Sequence, residues 1–167
     1  MIHYVNGNLL NSNCSYICHQ VNCQGKMGSG IAKAIRDKWP VVYERYKNWY
    51  EWCTDVACDE FGIYENGPDG SELMIGHAQI VNINDNQAVI NMAAQQYYGY
   101  DGKRYTSYDA FWQCLEEIRD KVPEGKTIGF PANIGCCRGG ANWNVIKAMI
   151  EEVLGLRYEV YIYNLGE

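Results

Sequence analysis

Short β-favouring runs alternate with amphipathic helical stretches along this chain, and that alternation constrains the fold more than any other feature of the sequence. Predicted strands cover residues 2–5, 15–19, 78–83, 88–93, 127–130 and 158–163. A chain that alternates strands with helices packs its helices against the faces of a sheet. The sequence therefore predicts an α/β domain whose sheet is covered on both faces.

Four helical stretches separate these strands. The first runs from Ile31 and stops at Pro40, because proline has no N–H to continue the helix. Thr106 with Asp109 resembles the start of a capped helix. Residues 84–86 predict a hairpin turn and residues 65–70 an exposed loop. The longer helices have apolar stripes of Val42, Tyr46, Trp49 and Cys53, of Phe111, Leu115, Ile118 and Val122, and of Ile146, Met149, Ile150, Val153 and Leu154.

The composition is that of one globular domain, residues 1–167. A chain of 167 residues can bury a continuous core, and 47% of these residues are hydrophobic while 20% are charged. The net charge of -6 argues against a direct nucleic-acid face, which needs a basic surface. The 14 tyrosines do not change this expectation, because they are spread through predicted core faces. An acidic protein can still bind one small anion through its backbone N–H groups.

The sequence also bears on the protein's location and on membrane, metal and cofactor binding. No apolar run approaches the roughly 18 residues of a membrane helix, and the first residues do not have the pattern of a secretory signal. We therefore expect no membrane contact and a cytoplasmic, reducing location for the eight cysteines. They form no Cys-x-x-Cys pair, so the sequence predicts no metal site and no cofactor.

Two glycine-rich segments each lie between a predicted strand and a predicted helix. They are residues 21–30 and residues 133–142. Glycine lets backbone N–H groups approach a ligand closely, and a helix start adds partial positive charge, so the combination favours a phosphate. Neither segment ends in the Gly-Lys-Ser/Thr of a Walker loop. Two such loops on one edge of a sheet predict a diphosphate held from both sides.

Both segments resemble the ligand loops of macrodomains. In the first macrodomain loop an asparagine precedes a Gly-x-Gly-Ile/Val-Ala turn, as Asn22 here precedes residues 28–32. Residues 131–143 resemble the second loop, usually Pro-x-x-Ile-Gly-Cys-Gly-Leu-x-Gly-Gly-Asp-Trp. Residues 75–81 and 91–95 are similar to the phage and bacterial branch, which includes ADP-ribose 1″-phosphate phosphatases and the terminal ADP-ribose protein glycohydrolase. The resemblance implies a three-layer α/β/α sandwich with a mixed central sheet.

The resemblance also implies a ligand and a set of contacts. The implied ligand is ADP-ribose or a derivative, either free or attached to a macromolecule. The protein would recognise it, sequester it or hydrolyse it. The implied contacts are Asn8, Leu9, Tyr163 and Asn164 at the adenine; Asn22 at the distal ribose; Gly28, Ser29, Gly30 and Ile31 at the phosphates; Gly135, Cys136, Cys137, Arg138 and Gly139 at the diphosphate and distal ribose; and Met27 as a further ligand contact.

Several of these residues have a structural alternative. Asn8 can form an Asx-turn after Gly7, and Asn22 can cap a turn. The family has aspartate at position 8, so asparagine implies weaker adenine selectivity. Arg138 either covers phosphate or is a solvated loop charge.

Three further side chains are candidates for chemistry or for packing. His19 is either a catalytic residue at a strand end or a core histidine. Cys136 and Cys137 are expected to pack or to line the pocket, since the sequence shows no base beside either thiol.

Two departures from the family pattern bear on catalysis. The glycohydrolases of this branch use a lysine and an aspartate where this chain has Gln95 and Asn142. An amide neither attacks an anomeric carbon nor takes a proton at neutral pH. Asn142 is a candidate catalytic residue, and its alternative role is the N-cap of a helix. The sequence thus favours a binding module over a hydrolase, with the hydrolase as the alternative.

Overall fold

The computed structural model describes residues 1–61 and 70–166. The exposed loop predicted over residues 65–70 therefore lies outside the described residues except for Gly70. The strands are β1 (Ile2–Asn6), β2 (Tyr16–Val21), β3 (Ala78–Asn82), β4 (Ala88–Ala93), β5 (Thr127–Pro131) and β6 (Glu159–Asn164). The α-helices are α1 (Gly30–Lys38), α2 (Pro40–Phe61), α3 (Ser71–Met74), α4 (Tyr108–Lys121) and α5 (Trp143–Leu154). A 3₁₀ turn covers Leu9–Asn11.

The six strands form one mixed sheet in the order β1-β6-β5-β2-β4-β3. All neighbouring strands are parallel except β3 and β4, which form the predicted antiparallel hairpin. The five parallel strands therefore end at the same edge of the sheet. The loops that follow β1, β2, β4, β5 and β6 all leave from this edge, and the candidate site lies there.

Successive side chains of a strand point to opposite faces of the sheet, and a hydrophobic core lies on each face. In β4, Ile90 and Met92 pack in the core formed with α4 and α5, whereas Val89 and Ala93 pack in the core formed with α1 and α2. All six residues of β4 are buried, as expected for a central strand covered on both faces. This arrangement confirms the predicted three-layer α/β/α sandwich with a mixed sheet. Among the described residues, none of the helices has the length and apolar character that crossing a membrane would require.

Two local predictions need correction. The N-cap of α4 is Ser107, whose hydroxyl accepts from the Ala110 N–H, and not Thr106. Thr106 is buried instead, and its hydroxyl donates to the Gly135 carbonyl at 2.8 Å. Strand β2 also runs two residues further than predicted, to Val21. His19 therefore lies inside the strand and not at its end.

The connections leave a crevice between β2 and β5. From β2 the chain passes through α1, α2 and α3 to β3 and β4, which lie on one side of β2. From β5 it passes through α5 to β6 on the other side. Loops that diverge from two neighbouring strands open a crevice at the strands' carboxyl ends, where α/β proteins bind ligands.

Candidate functional site

A cavity of about 620 Å³ lies at this crevice. It is bounded by three loops, which follow β2, β4 and β5, and by the facing sides of α1 and α2. The sequence-predicted contact residues that line it are Asn22, Met27, Gly28, Ser29, Gly30, Ile31, Gly135, Cys137, Arg138 and Gly139. Ten positions from two segments more than 100 residues apart are thus brought to one cavity.

The loop after β2 exposes backbone at the start of α1. A Cβ at Gly28 would meet nothing within 4 Å, so the backbone there is bare toward the cavity. Gly30 has a φ of 58°, a left-handed conformation that glycine adopts without strain. Ser29 is the N-cap of α1, but its side chain makes no capping hydrogen bond. Helix N-terminal N–H groups without a side-chain cap suit an anion.

Asn22 organises the first loop through its side chain. Its Nδ2 donates to the Lys26 carbonyl at 2.9 Å, and its Oδ1 accepts from the Gln24 N–H at 3.0 Å. The hydroxyl of the fully buried Tyr46 lies 2.7 Å from the Asn22 Oδ1 and accepts from the Lys26 N–H. Asn22 thus closes a turn, as one of its two interpretations predicts, and it also lines the cavity.

The loop after β5 is fixed against the loop after β4. Gly135 has a φ of 75°, and its carbonyl accepts from Thr106. The Gly139 carbonyl accepts from the Tyr105 and Thr106 N–H groups at 2.9 and 3.0 Å. Gln20 on β2 donates to the Thr106 hydroxyl at 2.7 Å. These bonds hold the second glycine-rich loop in place without using its own side chains.

The loop after β4 is a third wall of the cavity, and of its residues the sequence singled out only Gln95. Gln95, Tyr98, Gly99 and Tyr100 line the cavity from this loop. The Arg138 guanidinium lies 4.8 Å from the Tyr100 ring and donates to the Tyr100 hydroxyl at 3.1 Å, so the second and third loops meet over the cavity. The available signal was the run of tyrosines around Gly99, a few residues after the end of a predicted strand.

The charged residues of the cavity wall are all basic. Lys26, Arg36 and Arg138 line it, and none of the lining residues within the described ranges is an aspartate or glutamate. The cavity wall therefore has the opposite sign of charge to the chain as a whole, whose net charge is -6. The cavity is therefore suited to a ligand with more than one negative charge.

Comparisons with known proteins agree with this geometry. No protein-family model matches the chain. A structure of a protein of unknown function from Bacteroides thetaiotaomicron is 28% identical over 99% of this chain and 98% of its own, with a TM-score of 0.78. A macrodomain protein from Streptomyces coelicolor is 24% identical over 99% of this chain and 100% of its own, with a TM-score of 0.72. The chain has the macrodomain fold.

Two further comparisons are with proteins whose names mention ADP-ribose or its 1″-phosphate. The DarTG protein of Thermosipho africanus, solved in complex with ADP-ribose, is 17% identical over 97% of this chain and 41% of its own, with a TM-score of 0.67. An ADP-ribose 1″-phosphate phosphatase from Scheffersomyces stipitis is 37% identical over 65 residues. That match covers 35% of this chain and spans only 36% of the length of that enzyme.

The residues that the macrodomain pattern assigns to adenine do not line the cavity. Asn8 accepts from the Leu10 N–H at 2.9 Å, which is the Asx-turn of its alternative interpretation. Leu9 is 3% exposed and packs against Gly129 of β5. Tyr163 packs against the core on the α1 and α2 face, and Asn164 is exposed at the end of β6. Their proposed contacts with adenine stay predictions.

His19, the first candidate for catalysis, lies inside the molecule. Its side chain is fully buried, and its Nε2 lies 2.5 Å from the Asn91 Oδ1 on the neighbouring strand. Asn91 in turn donates to Gln79 on β3 at 3.0 Å, which makes a polar row across three strands. Burial lowers the pKa of His19 to about 4. His19 does not line the cavity, so its position supports the core interpretation and gives the catalytic prediction no support.

Asn142 and Cys136 also lie outside the cavity lining. Asn142 is the N-cap of α5, and its side chain accepts from the Asn144 N–H at 2.9 Å, which confirms its structural interpretation. Cys136 is half-buried, and desolvation raises the pKa of its thiol to about 11. A thiol with a raised pKa is a poor nucleophile. Cys137 is exposed and lines the cavity.

Proposed function

We propose that this chain binds ADP-ribose, or a close derivative of it, in the cavity between the loops after β2, β4 and β5. The observation that carries the proposal is the pair of glycine-rich loops on neighbouring parallel strands, which face each other across one cavity of about 620 Å³. That volume is within the usual range for a small-molecule site, roughly 300–1,000 Å³.

Each wall of the cavity supplies what a diphosphate needs. The uncapped start of α1 offers N–H groups beside the bare backbone of Gly28. The loop after β5 offers backbone on the opposite side, held in place by Thr106. Backbone N–H groups bind phosphate oxygens at no cost in side-chain entropy, because their positions are already fixed by the fold.

The electrostatics and the comparisons agree with this proposal. Three basic side chains line the cavity, which offsets the repulsion that an acidic chain exerts on an anion. The macrodomain fold also occurs in the Thermosipho africanus protein whose complex holds ADP-ribose. The fold alone does not decide the ligand; the loops and the charge of the cavity carry the argument.

Amide chemical shifts measured during titration with ADP-ribose test the binding site. We expect shifts in two separate segments, residues 28–31 and residues 135–139, at the same ligand concentration, because one molecule contacts both loops. Amides in the hairpin turn at residues 84–86, at the opposite edge of the sheet, serve as the control and should not move. Shifts confined to one loop would overturn the two-loop site.

A second candidate function is hydrolysis of ADP-ribose 1″-phosphate, which the similarity to the Scheffersomyces stipitis phosphatase favours. A carboxylate is absent from the described cavity lining, and His19 is buried away from it. Hydrolysis here would depend on holding the ribose and orienting a water molecule by hydrogen bonds alone. Release of inorganic phosphate from ADP-ribose 1″-phosphate, compared with a Gly28→Val variant, tests this: equal release from both proteins would exclude the cavity as its site.

A further inference from the structure

One side-chain contact joins two walls of the cavity at its exposed rim. The Arg138 guanidinium carbon, in the loop after β5, lies 4.8 Å from the centre of the Tyr100 ring in the loop after β4. Arg138 also donates to the Tyr100 hydroxyl at 3.1 Å. Both side chains line the cavity and both are exposed, Tyr100 to 77%. We call these two residues the rim pair.

The backbone that carries Tyr100 is held on both sides of this residue. Before it, the Gln95 side chain donates to the Tyr97 carbonyl at 2.8 Å. After it, the Asp101 carboxylate accepts from the Tyr105 hydroxyl at 2.9 Å. The tip of the loop is therefore tied at its two ends, and the Tyr100 side chain can rotate away from Arg138 while the backbone stays in place.

The contact between the two side chains is weak enough to open. A cation–π contact at an exposed position is weak, and exposed side chains change rotamer within picoseconds to nanoseconds. Arg138 forms no ion pair with a carboxylate among the described residues, so Tyr100 is the partner that holds it across the rim. The rim pair therefore exchanges between a closed form, with the side chains in contact, and an open form.

We propose that the rim pair is a gate, which must separate for ADP-ribose to enter or leave the cavity between the loops after β4 and β5. If the gate closes equally over the empty and the filled cavity, it slows association and dissociation by the same factor and leaves the affinity unchanged. A residue that binds phosphate directly changes the affinity instead. The gate rests on the proposed function, since ADP-ribose is the ligand that passes it.

Surface plasmon resonance with immobilised protein measures kon and koff for ADP-ribose separately. Tyr100→Leu removes the partner of Arg138 and keeps the positive charge. We expect kon and koff each to rise about three- to fivefold, while Kd stays within about twofold of the natural sequence. Adding Arg138→Gln to Tyr100→Leu should raise koff no further, because the gate is already lost.

Arg104→Gln is the matched control. Arg104 lies in the same loop and stacks on the Tyr108 ring at 4.6 Å, but neither residue lines the cavity. The substitution removes a positive charge near the rim and should leave koff unchanged. A Tyr100→Leu protein with a higher koff and an unchanged kon would overturn the gate, because Tyr100 would then contact the ligand. Unchanged rates in Tyr100→Leu would also overturn the gate and would leave the proposed function intact.

Nuclear magnetic resonance of the Arg138 Nε–H group tests the contact without any ligand. The ring current of Tyr100 displaces this signal, so Tyr100→Leu should move it and Arg104→Gln should not. A signal that stays in place in Tyr100→Leu would show that the two side chains do not touch in solution, which would overturn the gate. Absence of any ADP-ribose binding would overturn the proposed function and the gate with it, even if the Arg138 signal moves.

Discussion

Gly28 and Gly139 look alike in the sequence but have different surroundings in the structure. Each glycine lies in one of the two glycine-rich loops that the sequence predicts to bind phosphate. A Cβ at Gly28 would stand in open space, whereas a Cβ at Gly139 would overlap the Thr106 hydroxyl and the Gly135 carbonyl oxygen. A larger side chain at position 28 would therefore occupy the cavity. A larger side chain at position 139 would disrupt the contacts that hold the second loop.

Gly28→Val should abolish ADP-ribose binding and change the free energy of unfolding by less than about 1 kcal/mol. Gly139→Val should lower that free energy by about 2 kcal/mol or more, because backbone must move to make room. Calorimetry and chemical unfolding measure the two effects. Normal binding by a folded Gly28→Val protein would show that the first loop does not contact the ligand.

His19 provides a prediction about pH. Its pKa is lowered from 6.5 to about 4 by burial, so the unfolded chain takes up a proton near pH 6.5 that the folded chain does not. The stability that depends on neutral His19 is present above pH 6.5 and is lost as the pH falls toward 4. The free energy of unfolding should fall by up to about 3 kcal/mol over this range from His19 alone.

Nuclear magnetic resonance of the imidazole ring isolates this effect from other titrating groups. The His19 ring should remain neutral down to about pH 5 in the folded protein. A His19 midpoint near pH 6.5 would contradict its burial and would reopen its assignment as a catalytic group.

At the scale of elements, periodicity was sufficient to predict most helices and strands. The stripe from Phe111 to Val122 is buried, and the hairpin of β3 and β4 forms as predicted. The helix cap predicted at Thr106 was wrong because a local pattern does not show long-range contacts. The Thr106 hydroxyl donates to the carbonyl of Gly135, which lies in a loop distant in sequence. The third wall around Tyr98 was missed for the same reason: only the sheet order brings the loop after β4 beside the loop after β2.

Helix α2 supports the first loop through Tyr46, and this support is testable. Tyr46→Phe removes the hydroxyl that contacts Asn22 and Lys26, so ADP-ribose affinity should fall by about tenfold and stability by about 1 kcal/mol. Tyr158→Phe is the control, since that buried hydroxyl donates to the Val122 carbonyl at 2.6 Å, away from the cavity. It should cost similar stability and leave binding unchanged. Equal binding by both variants would mean that Tyr46 does not position the loop.

At the scale of the whole molecule, the site results from the order of the strands. The two glycine-rich loops become opposite walls because β2 and β5 are neighbours and their chains diverge. The sequence predicts both loops, but the adenine contacts at Asn8, Leu9, Tyr163 and Asn164 come from the family pattern alone. In the structure Asn8 forms a turn, Leu9 and Tyr163 pack in the core, and Asn164 lies at a strand end; none of the four lines the cavity.

Calorimetric titration with ADP-ribose and, separately, with AMP tests the central claim most directly. AMP has the adenosine and one phosphate but lacks the diphosphate and the distal ribose, so it can engage only part of the two-loop cavity. The account predicts a micromolar Kd for ADP-ribose, about −8 kcal/mol, and binding of AMP that is weaker by about tenfold or more. Equal affinity for the two ligands, or no binding of ADP-ribose, would contradict it.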